Sequence, residues 1–295
     1  MGLPKISIVT PSFNQSRFLD DTIHSVLDQN YSNLEYVIID GGSTDGSADI
    51  IKKHEDRLHY WTSEKDTGHG NAINKGFSKT SGEIMGWINS DDKLTPWSLN
   101  VVAEIFNLFP EVEWIVGFNS WWNENGAMTN ASRVPKNIYD FLLGKYGWIQ
   151  QESVFWRRSL WEKSGGFINE DYKFMVDGEL WTRFFLHSEL YSVDCILSGY
   201  RFHSENRAKN YYDTCINEMD TAINIMKTKC SSDIIHNYKK LRFVNRLVGN
   251  SFLHEYPVSK MISNYFIPKT FAAAAYKNIY YDNGRWNARN LPFTL

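Results

Sequence analysis

Cysteine is scarce in this chain. Cys195, Cys215 and Cys230 are the only three in 295 residues, an odd number with neither metal nor redox spacing. Their scarcity argues against a disulfide framework and fits reduced thiols in a cytoplasmic protein. Long apolar runs are missing too. None reaches the roughly 18 residues of a membrane helix, and no charged-then-apolar leader opens the chain, so neither a span nor a signal peptide is expected. Glycine is absent where two nucleotide folds need it. The turn after the first apolar strand reads Pro11-Ser12-Phe13-Asn14, without Gly-x-Gly-x-x-Gly, and no phosphate loop ends in Gly-Lys-Ser/Thr. A Rossmann dehydrogenase and a P-loop NTPase are therefore disfavoured.

Aromatic residues, by contrast, are abundant at 15%, with 11 Trp. Two readings fit: exposed ring faces suited to sugars or lipids, or a Trp-rich core. Net charge is only −3, but it is unevenly spread. Residues 206–295 hold 13 Lys and Arg against 6 Asp and Glu, while the preceding 205 residues are acidic. An acidic front and a basic tail suggest two functional regions, 1–205 and 206–295.

The front alternates apolar strands with amphipathic helices. Strands are expected at 6–10, 36–40, 58–61, 83–88 and 113–118, with helices at 16–29, 48–54, 71–79 and 96–109. This spacing implies an α/β fold built on a mostly parallel sheet flanked by helices. Beyond Phe118 the alternation fails. Short strands are expected at 150–157, 191–196 and 200–203, and helices near 137–143 and 178–187. From about Asn210 the pattern reads as a helical extension, in broken segments up to Tyr281.

The chain is organised around Trp87-Ile88-Asn89-Ser90-Asp91-Asp92, where a buried strand ends in adjacent carboxylates. Thr95 and Pro96 suit the N-cap and first position of the next helix, so Asp91 and Asp92 are left over. Ligands of open α/β sheets bind beyond the carboxyl ends of the strands, and two carboxylates there suit a hard divalent cation bridging substrate phosphates. A polar strand-to-helix turn is the plain alternative. Asp40 and Asp66 also follow strands, and four acids at successive strand ends exceed what turn chemistry explains.

The ordered motifs resemble family 2 glycosyltransferases of the GT-A fold across roughly residues 5–205. They are Ile8-Val9-Thr10-Pro11-Ser12-Phe13-Asn14, Ile39-Asp40-Gly41-Gly42-Ser43-Thr44-Asp45-Gly46, Asp66-Thr67-Gly68 with Ala72-Ile73-Asn74-Lys75-Gly76, and Asn89-Ser90-Asp91-Asp92. Gln151-Glu152-Ser153, Gly165-Gly166-Phe167 and Asp177-Gly178-Glu179-Leu180-Trp181-Thr182-Arg183 continue the match. The resemblance implies inverting transfer of a sugar from a nucleotide diphosphate sugar, UDP- or dTDP-linked, to a hydroxyl of a glycan or lipid-linked acceptor. Thr10 and Pro11 would line the nucleotide pocket with Asn74, Asp40 and Asp66 would hold the base, and Asp91 would contact ribose or sugar. Asp92 would ligate Mn²⁺ or Mg²⁺, with His203 completing the metal site and Arg207 reaching the diphosphate. Asp177 stands where the family's general base stands, with Glu179 as alternative. A helix N-terminus beside Asp177 is expected to depress its pKa. Gln151, Trp156 and Trp181 fall on the acceptor side. Trp148, Trp156 and Trp181 either stack on sugar or fill the core. Where many relatives carry Asp, this chain has Asn89, which removes one charge from the acidic cluster.

A catalytically silent sugar-nucleotide binding module and a nucleotidyltransferase are the competing readings. The tail lies outside the resemblance. Lys239, Lys240, Arg242 and Arg246, interleaved with Leu241, Phe243, Val244 and Leu247, suit contact with the inner face of an anionic membrane, acceptor docking, a homodimer contact, or a plain bundle with a solvated basic side. No nucleic-acid partner is expected.

Overall fold

The structure is a computed structural model describing residues 2–204, 206, 211–248 and 272–294. Its first half alternates as the sequence predicts. β1 (Ile6–Ser12), α1 (Ser16–Leu27), β2 (Leu34–Asp40), α2 (Ser47–Lys52), β3 (Tyr60–Ser63), α3 (His69–Phe77) and β4 (Ile84–Trp87) follow in order. Then come β5 (Lys93–Leu94), α4 (Ser98–Leu108), β6 (Trp114–Val116), β7 (Asn119–Trp122), β8 (Met128–Ser132) and α5 (Ile138–Leu142). β9 (Val154–Arg157), α6 (Arg158–Lys163), α7 (Val176–Phe184), β10 (Tyr191–Val193) and β11 (Ser198–Arg201) complete the motif-bearing part. The tail supplies α8 (Tyr212–Lys229), α9 (Ser232–Val248), β12 (Tyr276–Asp282) and β13 (Arg285–Leu291).

Nine strands form one sheet in the order β13-β12-β10-β6-β9-β4-β1-β2-β3. β4, β1, β2 and β3 are mutually parallel, so their carboxyl ends share one edge. β9 runs antiparallel between β4 and β6, which brings its amino end to that same edge. Side-chain alternation sorts the strands onto two cores. Ile6, Ile8, Tyr36, Ile38 and Ile84 meet α1 and α4 on one face; Val9, Val37, Ile39, Met85 and Trp87 meet α3 and α7 on the other. A second sheet, β5-β11-β7-β8, sits beside the first.

Two local expectations change. The helix expected from Pro96 begins at Ser98, because the Thr95 hydroxyl is engaged with the Ser98 hydroxyl and donates to the Ile196 carbonyl 2.9 Å away. The tail is helical through α8 and α9, but 276–281, expected as helix, is strand. β12 pairs parallel with β10, and β13 folds back on it through the Asn283-Gly284 turn, both residues at positive φ. Both faces of β12 are covered: Tyr276 joins the core under α3 and α7, Ile279 joins the core under α1 and α4, and Asn278 is buried as well. Among the described residues no helix is long and apolar enough to cross a membrane.

Candidate active site

The common strand edge gathers the acids. Asp40 closes β2, Asp66 follows β3, and Asn89 to Asp92 follow β4. The turn 151–153 before β9 adds Glu152, and the first turn of α7 adds Asp177.

Asp91 and Asp92 part company here. Asp92 is 1% exposed; its Oδ1 accepts from Arg201 N at 2.8 Å and its Oδ2 from Asn89 Nδ2 at 3.3 Å. Burial, with the charges of Asp91 and Glu152, pushes its pKa well above the ordinary carboxylate range. Asp91 is partly exposed, and its Oδ2 lies 3.0 Å from Nε2 of the buried His203. Asp92 braces the β4 end against β11, while Asp91 pairs with His203. The His203 ring packs on Phe18 at 4.8 Å, and Asn206 Oδ1 accepts its backbone N–H at 2.6 Å. α1 supports the loop from below, since the Thr22 hydroxyl reaches the carbonyls of Ser90 and Asp92 at 3.0 and 2.7 Å.

The groups here that could hold a divalent cation are Asp91, Asp92 and Glu152, with Asn89 and His203 beside them. Among the described residues, the buried oxygens Asn89 Oδ1 and Glu152 Oε1 have no hydrogen-bond partner. Burial and the nearby charges of Asp177 and Asp91 push the Glu152 carboxyl up to about 8. An acidic cluster with unpartnered oxygens is what a hard cation neutralises. Glu152 had no role assigned from sequence, although it lies inside a quoted motif; nothing in the linear pattern shows that an antiparallel strand returns it to this edge.

Asp177 lies inside the first turn of α7, with Met175 at the N-cap position. Its pKa is pushed up to about 6, opposite to the depression expected of a helix N-terminus. Burial dominates; N–H bonds from Gly178 and from its own backbone oppose it, and the charge of Glu218 adds to it. Glu218, on α8, accepts from the backbone N–H groups of Lys173, Phe174 and Met175 at 2.9, 3.0 and 2.9 Å. It therefore ties down the loop entering α7. Gly178 permits this packing, because a Cβ there would stand 2.2 Å from Met219 Sδ. The alternative base, Glu179, is committed to Arg183, whose Nε and Nη2 donate to it at 2.8–3.1 Å.

Other predicted residues are placed more plainly. Asp40 is fully buried and accepts from Ser43 N, Ser43 Oγ and Ser63 Oγ at 2.6–2.9 Å, so it organises the wall rather than presenting a free carboxylate. Asp66 is partly open and lies over Gly41, where a Cβ would stand 2.9 Å from its Oδ2. Thr10 is buried and shares a 2.9 Å hydrogen bond with the Tyr36 hydroxyl, while Pro11 is buried beside it. The Asn74 amide bonds with Ile168 N, Ile168 O and Glu170, fixing the loop after α6. Gln151 Nε2 donates to the Trp87 carbonyl at 2.5 Å and locks the β9 turn to β4. Trp156 and Trp181, expected on the acceptor side, are 0% and 1% exposed; Trp181 stacks on Trp87 at 5.8 Å, and both fill the core beneath the site. Trp148 is 43% exposed. Arg207 lies outside the described residues.

The profile of Glycosyl transferase family 2 matches residues 7–185, and the chain belongs to that family. It is 30% identical over 200 residues to the uncharacterized glycosyltransferase Rv1514c of Mycobacterium tuberculosis, covering 66% of this chain and 74% of that one. It is 39% identical over 93 residues to the putative teichuronic acid biosynthesis glycosyltransferase TuaG of Bacillus subtilis, covering 30% of this chain and 37% of that relative. Only about a third of TuaG is thus spanned. Among solved structures, S. aureus TarS 1-349 in complex with UDP-GlcNAc superposes with a TM-score of 0.64 at 14% identity, over 90% of this chain and 80% of that one. The mannosyltransferase PcManGT of Pyrobaculum calidifontis, in complex with GDP-Man and Mn²⁺, gives 0.56 at 14% identity, over 90% and 80%. These two likenesses establish the GT-A fold.

Proposed function

We propose that this family 2 glycosyltransferase moves a sugar, with inversion, from a nucleotide diphosphate sugar to an acceptor hydroxyl in surface glycan assembly. The observation that carries the reading is the Asp91–His203 pair, 3.0 Å apart, in the acidic cluster at the strand edge. Asp91 and His203 would hold Mn²⁺ or Mg²⁺, with Asn89 Oδ1 and Glu152 Oε1 as further oxygens within the same cluster. The cation, when bound, offsets the negative charge of the leaving diphosphate. Asp92 keeps the β4 loop against β11, and Asp66 faces the base side. Asp177 takes the proton from the attacking hydroxyl; with a pKa near 6 it is largely ionised at neutral pH yet still basic enough to accept. Deprotonated Asp177 attracts the proton while the hydroxyl oxygen forms its bond to the anomeric carbon on the face opposite the departing diphosphate. Uridine and guanosine diphosphate sugars bound to the structural neighbours make a nucleotide sugar the donor class to try first, and the TuaG likeness makes a surface polysaccharide the acceptor class.

Calorimetry with a panel of UDP-, dTDP- and GDP-sugars, with Mn²⁺ and with chelator, tests this reading. Binding of one donor is expected with Mn²⁺, with sharp weakening by chelator, by Asp91→Asn and by His203→Ala. Donor affinity indifferent to chelator and to both substitutions would defeat the cation role.

A further inference from the structure

We propose that Asp20, His24 and His54 form a second cation site, on the outer side of α1, that takes Zn²⁺ and pins α1 to the segment following α2. Each residue can offer one ligand atom, and the three atoms lie within 4.8 Å of one another. Asp20 and His24 are four residues apart on α1 and so share its outer face. His54 closes on them from the end of α2, its ring edge-on to His24 at 5.0 Å, with Nε2 2.8 Å from Asp20 Oδ1.

Asp28 and Arg57 support the assignment. His24 Nδ1 is 2.8 Å from Asp28 Oδ2, and Asp28 Oδ1 accepts from Arg57 Nη2 at 2.9 Å. Metal-binding imidazoles commonly donate their other ring N–H to a carboxylate, which fixes the tautomer and raises the basicity of the free nitrogen. Here Asp28 engages Nδ1 and leaves Nε2 of His24 for an ion. Two imidazoles and one carboxylate suit Zn²⁺, with water completing a tetrahedron, and suit Mg²⁺ poorly, because Mg²⁺ prefers oxygen throughout. The two cation sites of the molecule would thus differ in ligand chemistry. Their link is mechanical. The inner face of α1 holds the Ser90 and Asp92 carbonyls through Thr22 and packs Phe18 on His203, so an ion on its outer face steadies the platform under Asp91.

The test uses the full chain, stripped of metal and then saturated with Mg²⁺, and titrates Zn²⁺ by calorimetry alongside thermal melting. One equivalent of Zn²⁺ is expected to bind and to raise the melting temperature. His24→Gln and His54→Gln are each expected to abolish that uptake, and Asp28→Asn to weaken it about 10- to 100-fold. Asp91→Asn and His203→Gln are expected to leave it intact. No Zn²⁺ uptake by the wild type, uptake unchanged in both His24→Gln and His54→Gln, or uptake lost in His203→Gln would each overturn the proposal.

Discussion

Asp91 Oδ2 and His203 Nε2 are 3.0 Å apart although 112 residues separate them in the chain. The short antiparallel pairing of β5 with β11 accounts for it. Ser198 lies opposite Leu94 and Gly199 opposite Lys93, so each residue further along β11 lies nearer the end of β4. Just beyond that pairing the Arg201 N–H reaches Asp92 Oδ1, and His203, two residues on, stands beside Asp91. A two-residue strand thus sets the geometry of the acidic centre. Gly199 is required there, because a Cβ would fall 2.0 Å from Trp122 Nε1.

Asp177 gives a pH-dependent test. Its carboxyl is held at about 6, so the form able to accept a proton is lost as pH falls below that value. With the acceptor limiting, kcat/KM is expected to fall about tenfold per pH unit in the acid limb below 6. Asp177→Asn is expected to cost on the order of 10²–10⁴ in turnover with donor affinity unchanged, measured by initial rates and calorimetry. Near-normal turnover of the variant would remove Asp177 from the base role.

Glu218 extends the test to the tail. Its carboxylate holds three backbone N–H groups of the loop entering α7, although it lies beyond residues 7–185. Glu218→Ala is expected to lower kcat by up to about 10²-fold through misplacement of Asp177, with the donor KM little changed. Glu218→Gln, which still offers one acceptor oxygen, is expected to recover part of the rate. Equal loss in both variants, accompanied by a lowered melting temperature, would mean general destabilisation instead.

Much of this centre was legible in the sequence. The strand-end acids were marked by apolar runs that stop at carboxylates, and the alternation of the first 118 residues translates directly into parallel strands. The relative burial of Asp91 and Asp92 was not legible. Adjacent residues at a strand end point in different directions, and which one is buried depends on β11, about 100 residues away. Trp156 and Trp181, left open in the sequence between stacking on sugar and filling the core, fill the core; composition counts rings without saying which face of a sheet they occupy. The Asp177 pKa was misjudged for a related reason: the helix terminus is visible in sequence, but the burial that outweighs it is tertiary.

Glu152 links the centre to stability. Its carboxyl is raised from an ordinary 4.5 to about 8, chiefly by burial. A raised acid binds its proton more tightly in the folded state. The stability it contributes is therefore fully present below about 4.5 and is lost as pH rises through about 8. Chemical denaturation of the metal-free protein is expected to show falling stability between those values. Glu152→Gln, neutral at every pH, is expected to flatten that fall and to be the more stable form at pH 9. An unchanged slope in the variant would show that Glu152 does not carry the linkage.

The last expectation concerns α9. Leu241 and Val244, two of the four apolar residues read as suited to a membrane contact, are buried in the core together with Tyr238. Lys239, Lys240, Arg242 and Arg246 remain exposed, with Phe243 64% exposed among them. Such a face attracts anionic lipid mainly through charge, with each basic residue near the surface contributing about 1 kcal/mol. One exposed aromatic adds little insertion, so the contact should be reversible and fade as salt shortens the screening length to below about 10 Å. The full chain is expected to co-float with anionic liposomes at low salt and to be released at high salt. Charge reversal at Lys239, Lys240 and Arg242 is expected to abolish flotation without lowering the melting temperature, since these side chains face solvent. Wild-type protein that ignores anionic liposomes at low salt would assign this face to solvent, to acceptor docking or to a second copy of the chain, and size-exclusion chromatography with light scattering would identify the last of these.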